Sequence, residues 1–326
     1  RRSKYVRGNR EAAEHALALR EVSRDPSSAT WGSFYEASVA PTYANLATKT
    51  VEDYERTWNV ELAPRIACER VSDMDWKRAN DVLTDISAPT VQRRAGALLK
   101  KMCNIAVRQG VLESNPVRAI QYAPHRPRAK RLVDCTEVAS LLRAVEGIKY
   151  EPVVLLSLGC GMRPEESYAA CWEDVSGYEA FGGSFAKVKV DKALVTVRGG
   201  SELKSTKNTP SEREAICGEP FASRLLVLAD GRSGPLVASG GGYTSPATIA
   251  HNWKAWCARN GVPHVTFENM RSSYATMMGE ALAPDSVVAG NMGHVGSSVK
   301  SRHYQRVTMR SKCMAASMLA DLLKSM

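Results

Sequence analysis

The sequence has no metal-type spacing. Its 8 cysteines, at positions 68, 103, 135, 160, 171, 217, 257 and 313, form no C-x-x-C pair and stand at no zinc-like interval from a histidine. They read as buried thiols in a reducing compartment. Its acidic residues show none of the clustering that holds divalent ions in metal-dependent nucleases, so no metal and no other cofactor is expected. Long apolar runs are missing too. The longest, Val153 to Met162, is too short to span a bilayer, and no hydrophobic signal segment opens the chain. These absences predict a cytoplasmic protein with no membrane partner. The first residue is Arg1 rather than methionine, which leaves room for a segment upstream.

Positive charge is in excess. Lys and Arg number 44 against 34 Asp and Glu, a formal net charge of +10. Each cation that neutralises a phosphate releases a condensed counterion, so this balance favours a polyanionic partner. With 326 residues, 44% of them hydrophobic and 24% charged, the chain can fold two domains with cores of their own.

Residues 1–27 form a basic segment that passes into a predicted helix over Glu11 to Glu21, either a solvated terminus or a phosphate-contacting arm. Residues 28–122 read as a helical domain. One helix starts at Trp31, a second at Thr48 with a threonine cap, and a third follows Val71–Trp76. A fourth runs from about Ala88 to Gln109, opened by Pro89 and closed by Gly110. Leu98, Leu99, Met102, Ile105 and Ala106 give it an apolar stripe, while Thr90, Arg93, Arg94, Lys100 and Lys101 suit a DNA-facing front. Residues 123–132 are proline-rich and cationic, a semi-rigid linker whose Arg126, Arg128, Lys130 and Arg131 can lie along a duplex.

Residues 133–326 carry the candidate chemistry. A helix opens near Thr136 and Glu137, and the run Val153–Leu158 ends at Gly159-Cys160-Gly161, which projects Arg163 from a constrained turn at the next helix start. Glu166, three residues on, shares its helical face. Two strands are predicted over Phe185–Val190 and Ala193–Val197, followed by a polar turn stretch with Lys204 and Lys207. Further on come Glu268-Asn269-Met270-Arg271, then Asn291-Met292-Gly293-His294, and Tyr304 ten residues after that histidine. A last apolar stripe over Met314–Leu323 fits either a neighbouring protomer or the chain's own core.

In this order, Gly161-Met162-Arg163-Pro164-Glu165-Glu166, the lysine stretch, Val265–Thr276, the Gly293-His294 pair and Ser301-Arg302-His303-Tyr304 resemble the tyrosine recombinases, the phage-type integrase family. Gly110-Val111-Leu112-Glu113-Ser114-Asn115-Pro116 is similar to the ending of that family's core-binding domain. The resemblance implies a mainly α fold with a small antiparallel sheet (α+β). A helical core-DNA-binding domain at 28–122 would precede a catalytic domain at 133–326, and residues 1–27 would be a remnant of, or link to, an arm-binding region.

It also implies roles. Arg163 and Arg271 clamp the scissile phosphate, His294 donates to one of its oxygens, Tyr304 attacks phosphorus, and Lys207 or Lys204 protonates the departing 5′ oxygen. Lys207 keeps the better distance to Arg213 and Ile216. Glu166 supports the arginine pocket. Glu268 stands where the family usually has histidine and Ser272 where it has a second one, so the usual role of that first histidine has no direct successor here. Implied partners are duplex DNA with inverted core sites, three further copies of the chain on DNA, a monomer or weak association when free, and DNA-bending accessory proteins. Two rivals stay open: a type IB topoisomerase-like nicking and resealing enzyme, and a catalytically impaired DNA-binding protein.

Overall fold

The computed structural model describes residues 28–120, 122, 129–205, 212–294 and 307–326. The expectations for residues 1–27, Arg126, Arg128, Lys207 and Tyr304 lie outside the described residues. The chain divides into two compact units between residues 128 and 129.

In the first unit, α1 (Trp31–Phe34) opens at Thr30, whose hydroxyl exchanges bonds with Ser33 in a capping box. It continues as a π turn and a 3-10 turn to Tyr43. α2 (Thr48–Thr57) departs from expectation by one residue. Ala47 holds the cap position with no side-chain bond, and Thr48 is already helical. A π turn leads to α3 (Ala63–Ile66), and α4 (Trp76–Thr84) is capped by Asp75, which accepts the Arg78 N–H at 2.7 Å. α5 (Pro89–Arg108) opens on proline, whose missing N–H would be unpaired there anyway. Its stripe of Leu98, Leu99, Met102 and Ala106 closes on Trp31, Phe34, Trp58 and Leu62 to make the core. Each such side chain contributes about 2 kcal/mol when fully buried. Asn115 ties the following segment back to α5, donating to Lys100 O at 2.8 Å and accepting the Val117 N–H at 2.9 Å.

The second unit is built around one helix. α6 (Cys135–Ala144) is capped by Asp134 and Glu137 in a capping box, one residue earlier than Thr136 suggested. α7 (Glu151–Gly159) has every residue buried, so it lacks a wet face and serves as the hub. α8 (Pro164–Ala169) follows. β1 (Val175–Ala180), β2 (Gly183–Val190) and β5 (Arg213–Cys217) form an antiparallel sheet in the order β1-β2-β5, while β3 (Lys192–Val197) and β4 (Gly200–Ser205) make a separate hairpin. Of these, β2 and β3 match the predicted strands. β1, β4 and β5 are additional.

α9 (Phe221–Ala229) packs on α7 and β2. β6 (Ala238–Ser239) and β7 (Gly242–Tyr243) pair ahead of α10 (Pro246–Arg259). α11 (Phe267–Glu280) packs on α7, and α12 (Asp285–Met292) ends at Gly293. α13 (Met309–Lys324) lays Cys313, Ala315, Ala316, Leu319 and Ala320 against its own unit, on β5, α12, α11 and α6. Its apolar stripe therefore packs within the chain. All the thiols are free, and all except Cys68 and Cys171 are buried. Among the described residues no helix is long and apolar enough to cross a membrane.

Candidate active site

Two glycine turns assemble the pocket. At the end of α7, Gly161 has φ +62°, and an added Cβ would lie 2.3 Å from the Tyr274 ring, so only glycine lets the backbone turn against that buried aromatic. The turn presents the Gly161 carbonyl to Arg271 Nη1 and sets Arg163 at the N-cap of α8. The second turn is Gly293, with φ +70° at the C-terminus of α12. Its carbonyl accepts from Arg163 Nη2 at 2.9 Å, across 130 residues of sequence, and the Met292 carbonyl accepts from Arg271 Nη1 at 3.1 Å.

The next residue is His294, whose Nε2 lies 2.6 Å from Arg271 Nη2. A guanidinium can only donate, so the neutral imidazole accepts at Nε2 and carries its proton on Nδ1. Arg163, Arg271 and His294 thus share one lining.

Charge follows from this crowding. Burial, and then the neighbouring Arg163 charge, push Arg271 down to about 10; it remains a cation at neutral pH. His294 is held below its ordinary value by burial and then by Arg271 and Arg163, which favours the neutral ring. Burial would raise Glu166, but hydrogen bonds and charge from Arg213, with the Arg163 bonds, outweigh it and keep its carboxyl below the usual range.

Glu166 accepts four bonds. Oε1 takes Arg163 Nη1 at 2.7 Å and Arg213 Nη1 at 3.1 Å, and Oε2 takes the Arg163 backbone N–H at 2.9 Å and Arg213 Nη2 at 2.8 Å. Arg213 then reaches α12 by donating from Nε to Asn291 O at 2.7 Å.

The remaining candidates are more dispersed. Lys204, on β4, pairs with Glu202 at 3.1 Å and takes no part in the hydrogen bonds of the arginine pocket, although its hairpin packs on α8 through β3. Glu268 is exposed in the first turn of α11, one turn before Arg271, and its charge helps keep that guanidinium protonated. On α5, Thr90, Arg93, Arg94 and Lys100 are exposed. Lys101 is half-buried, its Nζ lying 4.5 Å from the Tyr43 ring centroid and 4.6 Å from that of Tyr54. Lys130 is exposed, and Arg131 pairs with Glu137. Among the described residues no His, Cys, Asp and Glu cluster could hold a metal ion.

No established family model matches the sequence. A curated relative, a "Tyrosine recombinase XerC-like" protein of Caldanaerobacter subterraneus subsp. tengcongensis, is 24% identical over 251 residues, which cover 69% of this chain and 64% of the relative. The match therefore spans less than two thirds of that relative's length. The chain is similar to tyrosine recombinases over that stretch. Solved integrases share its fold. The Tn1549 transposon integrase, in complex with a circular intermediate DNA, superposes with a TM-score of 0.67 at 14% identity, over 94% of this chain and 99% of that one. A lambda integrase dimer bound to a COC' core site gives 0.61 at 16% identity, over 86% and 99%. A lambda integrase tetramer bound to a Holliday junction gives 0.60 at 15%, over 92% and 89%.

Two residues of this pocket carry little functional signal in the sequence. Arg213 stands at the start of an apolar strand and served there only as a distance marker. Asn291 lies beside the Gly293-His294 pair, and its side chain bonds both backbone groups of Ile216, at 2.8 and 3.0 Å. A strand-leading arginine before Ala215-Ile216-Cys217 was the one available hint of the first.

Proposed function

We propose that this chain is a site-specific DNA recombinase that cleaves and rejoins duplex DNA through a 3′-phosphotyrosine intermediate, integrating or excising a mobile element. The observation that carries this reading is the convergence of the Arg163 and Arg271 guanidiniums with His294 on one pocket, held by backbone carbonyls of two glycine turns. A phosphodiester resists attack because it is anionic, and its pentacoordinate transition state gathers more charge on the non-bridging oxygens. Two fixed cations answer that charge without reorganising, and His294 Nδ1–H adds a donor.

Tyr304 supplies the nucleophile. Its phenol loses its proton to solvent, and its oxygen forms a bond to phosphorus as the bond from phosphorus to the 5′ oxygen breaks. A phenol ordinarily titrates at about 10, so the attack needs the surrounding positive charge. Lys207, or Lys204, gives its proton to the departing 5′ oxygen as general acid. The phosphotyrosine conserves the bond energy, and the 5′ hydroxyl of a second strand reverses the step without ATP. Glu268 acts beside Arg271 in place of the family's histidine.

Residues 28–122 form the core-DNA-binding domain, with Thr90, Arg93, Arg94 and Lys100 facing DNA and Lys101 held over Tyr43 and Tyr54. Residues 123–132 form the linker, with Arg126, Arg128, Lys130 and Arg131 along the duplex, and residues 133–326 form the catalytic domain. The DNA carries inverted core sites, and four copies of the chain assemble on it with DNA-bending accessory proteins. DNA complexes of the Tn1549 and lambda integrases support the DNA partner, and the lambda tetramer on a Holliday junction supports the four-copy state.

The test is incubation with nicked duplexes of randomised core sequence. An SDS-resistant protein–DNA adduct is expected, and Tyr304→Phe should lose it. An adduct that survives Tyr304→Phe would overturn the assignment of the nucleophile, and a chain that binds duplexes without forming any adduct would be a DNA-binding protein. Plasmid relaxation with no recombinant product would identify a topoisomerase instead.

A further inference from the structure

Glu166 poses an electrostatic problem. A carboxylate bonded to Arg163 orients that guanidinium, yet it also cancels the positive charge that an anionic substrate needs. Both side chains of the Glu166–Arg213 pair are almost fully enclosed, 3% and 4% exposed, whereas Arg163 is 36% exposed. Arg213 engages the carboxylate through two nitrogens, at 3.1 and 2.8 Å, and Arg163 engages it through one side-chain nitrogen at 2.7 Å. The bidentate, buried partner is therefore Arg213.

We propose that Arg213 is a positioning residue that serves as the dedicated counter-charge of Glu166, so that Glu166 can orient Arg163 while the positive charge of Arg163 stays directed at the substrate phosphate. This inference rests on the strand-cleavage reading above and deepens it. Three guanidiniums, Arg163, Arg213 and Arg271, then stand around the enclosed Glu166 carboxylate, with exposed Glu268 one turn from Arg271. Removing Arg213 turns Glu166 onto Arg163 alone and lowers the net charge of the pocket by one.

Arg213 also sets the far wall. Its Nε bond to Asn291 O fixes α12 two residues before Gly293, whose carbonyl holds Arg163. A Cβ on Gly293 would approach Arg213 Nη1 to 2.6 Å, so the guanidinium and that turn are packed against each other. One side chain thereby positions both the cation on α8 and the loop that leads to His294.

The experiment compares wild type with Arg213→Gln, Arg213→Lys and the double variant Arg213→Gln/Glu166→Gln. Two quantities are read: the adduct rate at saturating nicked duplex, and the affinity for inorganic phosphate, taken as the part of the binding that Arg163→Ala abolishes. Arg213→Gln is expected to slow adduct formation at saturation by about a hundredfold, the scale of losing one preorganised charge-stabilising group, with little change in the duplex concentration needed for half-saturation. Its phosphate affinity should fall by about tenfold.

The double variant restores the charge balance and should recover phosphate affinity and much of the rate. A residue needed only for folding would instead give losses that accumulate. Arg213→Lys keeps the charge without the fork and should keep wild-type phosphate affinity, which leaves the proposal testable if the glutamine variant fails to fold. Wild-type affinity and rate in Arg213→Gln, or a double variant no better than the single one, would overturn it. The two readings fail separately. If wild type forms no adduct on any duplex while phosphate affinity still follows the charge, strand cleavage falls and the counter-charge assignment stands; if wild type forms the adduct but Arg213→Gln is unaffected, the reverse holds.

Discussion

At position 293 a single carbon decides whether the pocket can close. The residue sits at φ +70°, and a Cβ there would come within 2.6 Å of Arg213 Nη1 and 2.8 Å of Arg213 Cζ. Gly293→Ala therefore meets two costs, about 1–2 kcal/mol for a left-handed alanine and displacement of a guanidinium that is already fully engaged. A lowered urea midpoint together with a reduced adduct rate is the expected outcome, and an unchanged rate would show that Arg213 can shift without consequence. His294 gives a second prediction at this scale. Burial, then Arg271 and Arg163, lower its pKa in the folded chain, while the unfolded chain titrates near the ordinary value of about 6.5. Between those values the unfolded state holds more protons, so stability declines as pH falls through about 6.5 and the contribution is gone below the folded value. His264 is held low by burial and by Lys254 and acts in the same sense. His294→Gln, which can still accept from Arg271 but cannot titrate there, should flatten part of the loss seen in urea midpoints between pH 7.5 and 5. An undiminished slope would locate the effect elsewhere.

At the scale of elements, α12 is joined to the sheet by one amide. Asn291 Oδ1 accepts the Ile216 N–H, and Nδ2 donates to Ile216 O and to the Tyr274 hydroxyl at 3.0 Å, so a helical side chain completes the hydrogen bonding of β5. Asn291→Ala would leave a buried N–H and carbonyl unpaired, a cost of about 3 kcal/mol, and would loosen the helix whose carbonyl holds Arg213. Urea denaturation measures this directly; a loss well under 1 kcal/mol would mean that water replaces the amide. How much of this was legible in the sequence depended on whether an element's signal is local. The period of α5 and the unbroken apolar run of α7 define those helices, and the alternation in Phe185–Val190 and Ala193–Val197 defines β2 and β3. β1, with Ser176, Gly177 and Glu179, and β4, with Gly200, Ser201 and Glu202, lack that alternation because neither strand buries a residue fully, so neither face demands apolar side chains. Their strand character comes from their partners. The cap of α2 moved to Ala47 for a related reason: the chain enters that helix without a side-chain bond, and a threonine nearby cannot reveal that. In the site, the glycine turns beside Arg163 and His294 were legible as turn chemistry. The Glu166–Arg213 pair was not, because it joins residues 47 apart, and no local pattern distinguishes a buried strand-leading arginine from an exposed one.

For the whole molecule, a net charge of +10 describes the field around the protein but not which cations a polyanion can reach. Arg213 is enclosed and bonded to the chain itself, and Lys101 lies over two tyrosine rings while burial lowers its pKa. Such cations shape the interior, whereas counterion release belongs to those exposed to phosphate. Arg93, Arg94 and Lys100 are exposed on α5, the element whose opposite side fills the first unit's core. Duplex affinity measured against salt separates the two populations. Each of Arg93→Ala, Arg94→Ala and Lys100→Ala should reduce the steepness of log affinity against log salt by about one. Lys101→Ala should leave that slope unchanged and instead lower thermal stability, by about 1–2 kcal/mol for a desolvated ammonium over aromatic faces. A slope reduced by Lys101→Ala to the same extent as by its exposed neighbours would mean that the lysine leaves its tyrosines to meet DNA. A slope untouched by the other three would place the duplex on a different face of the unit.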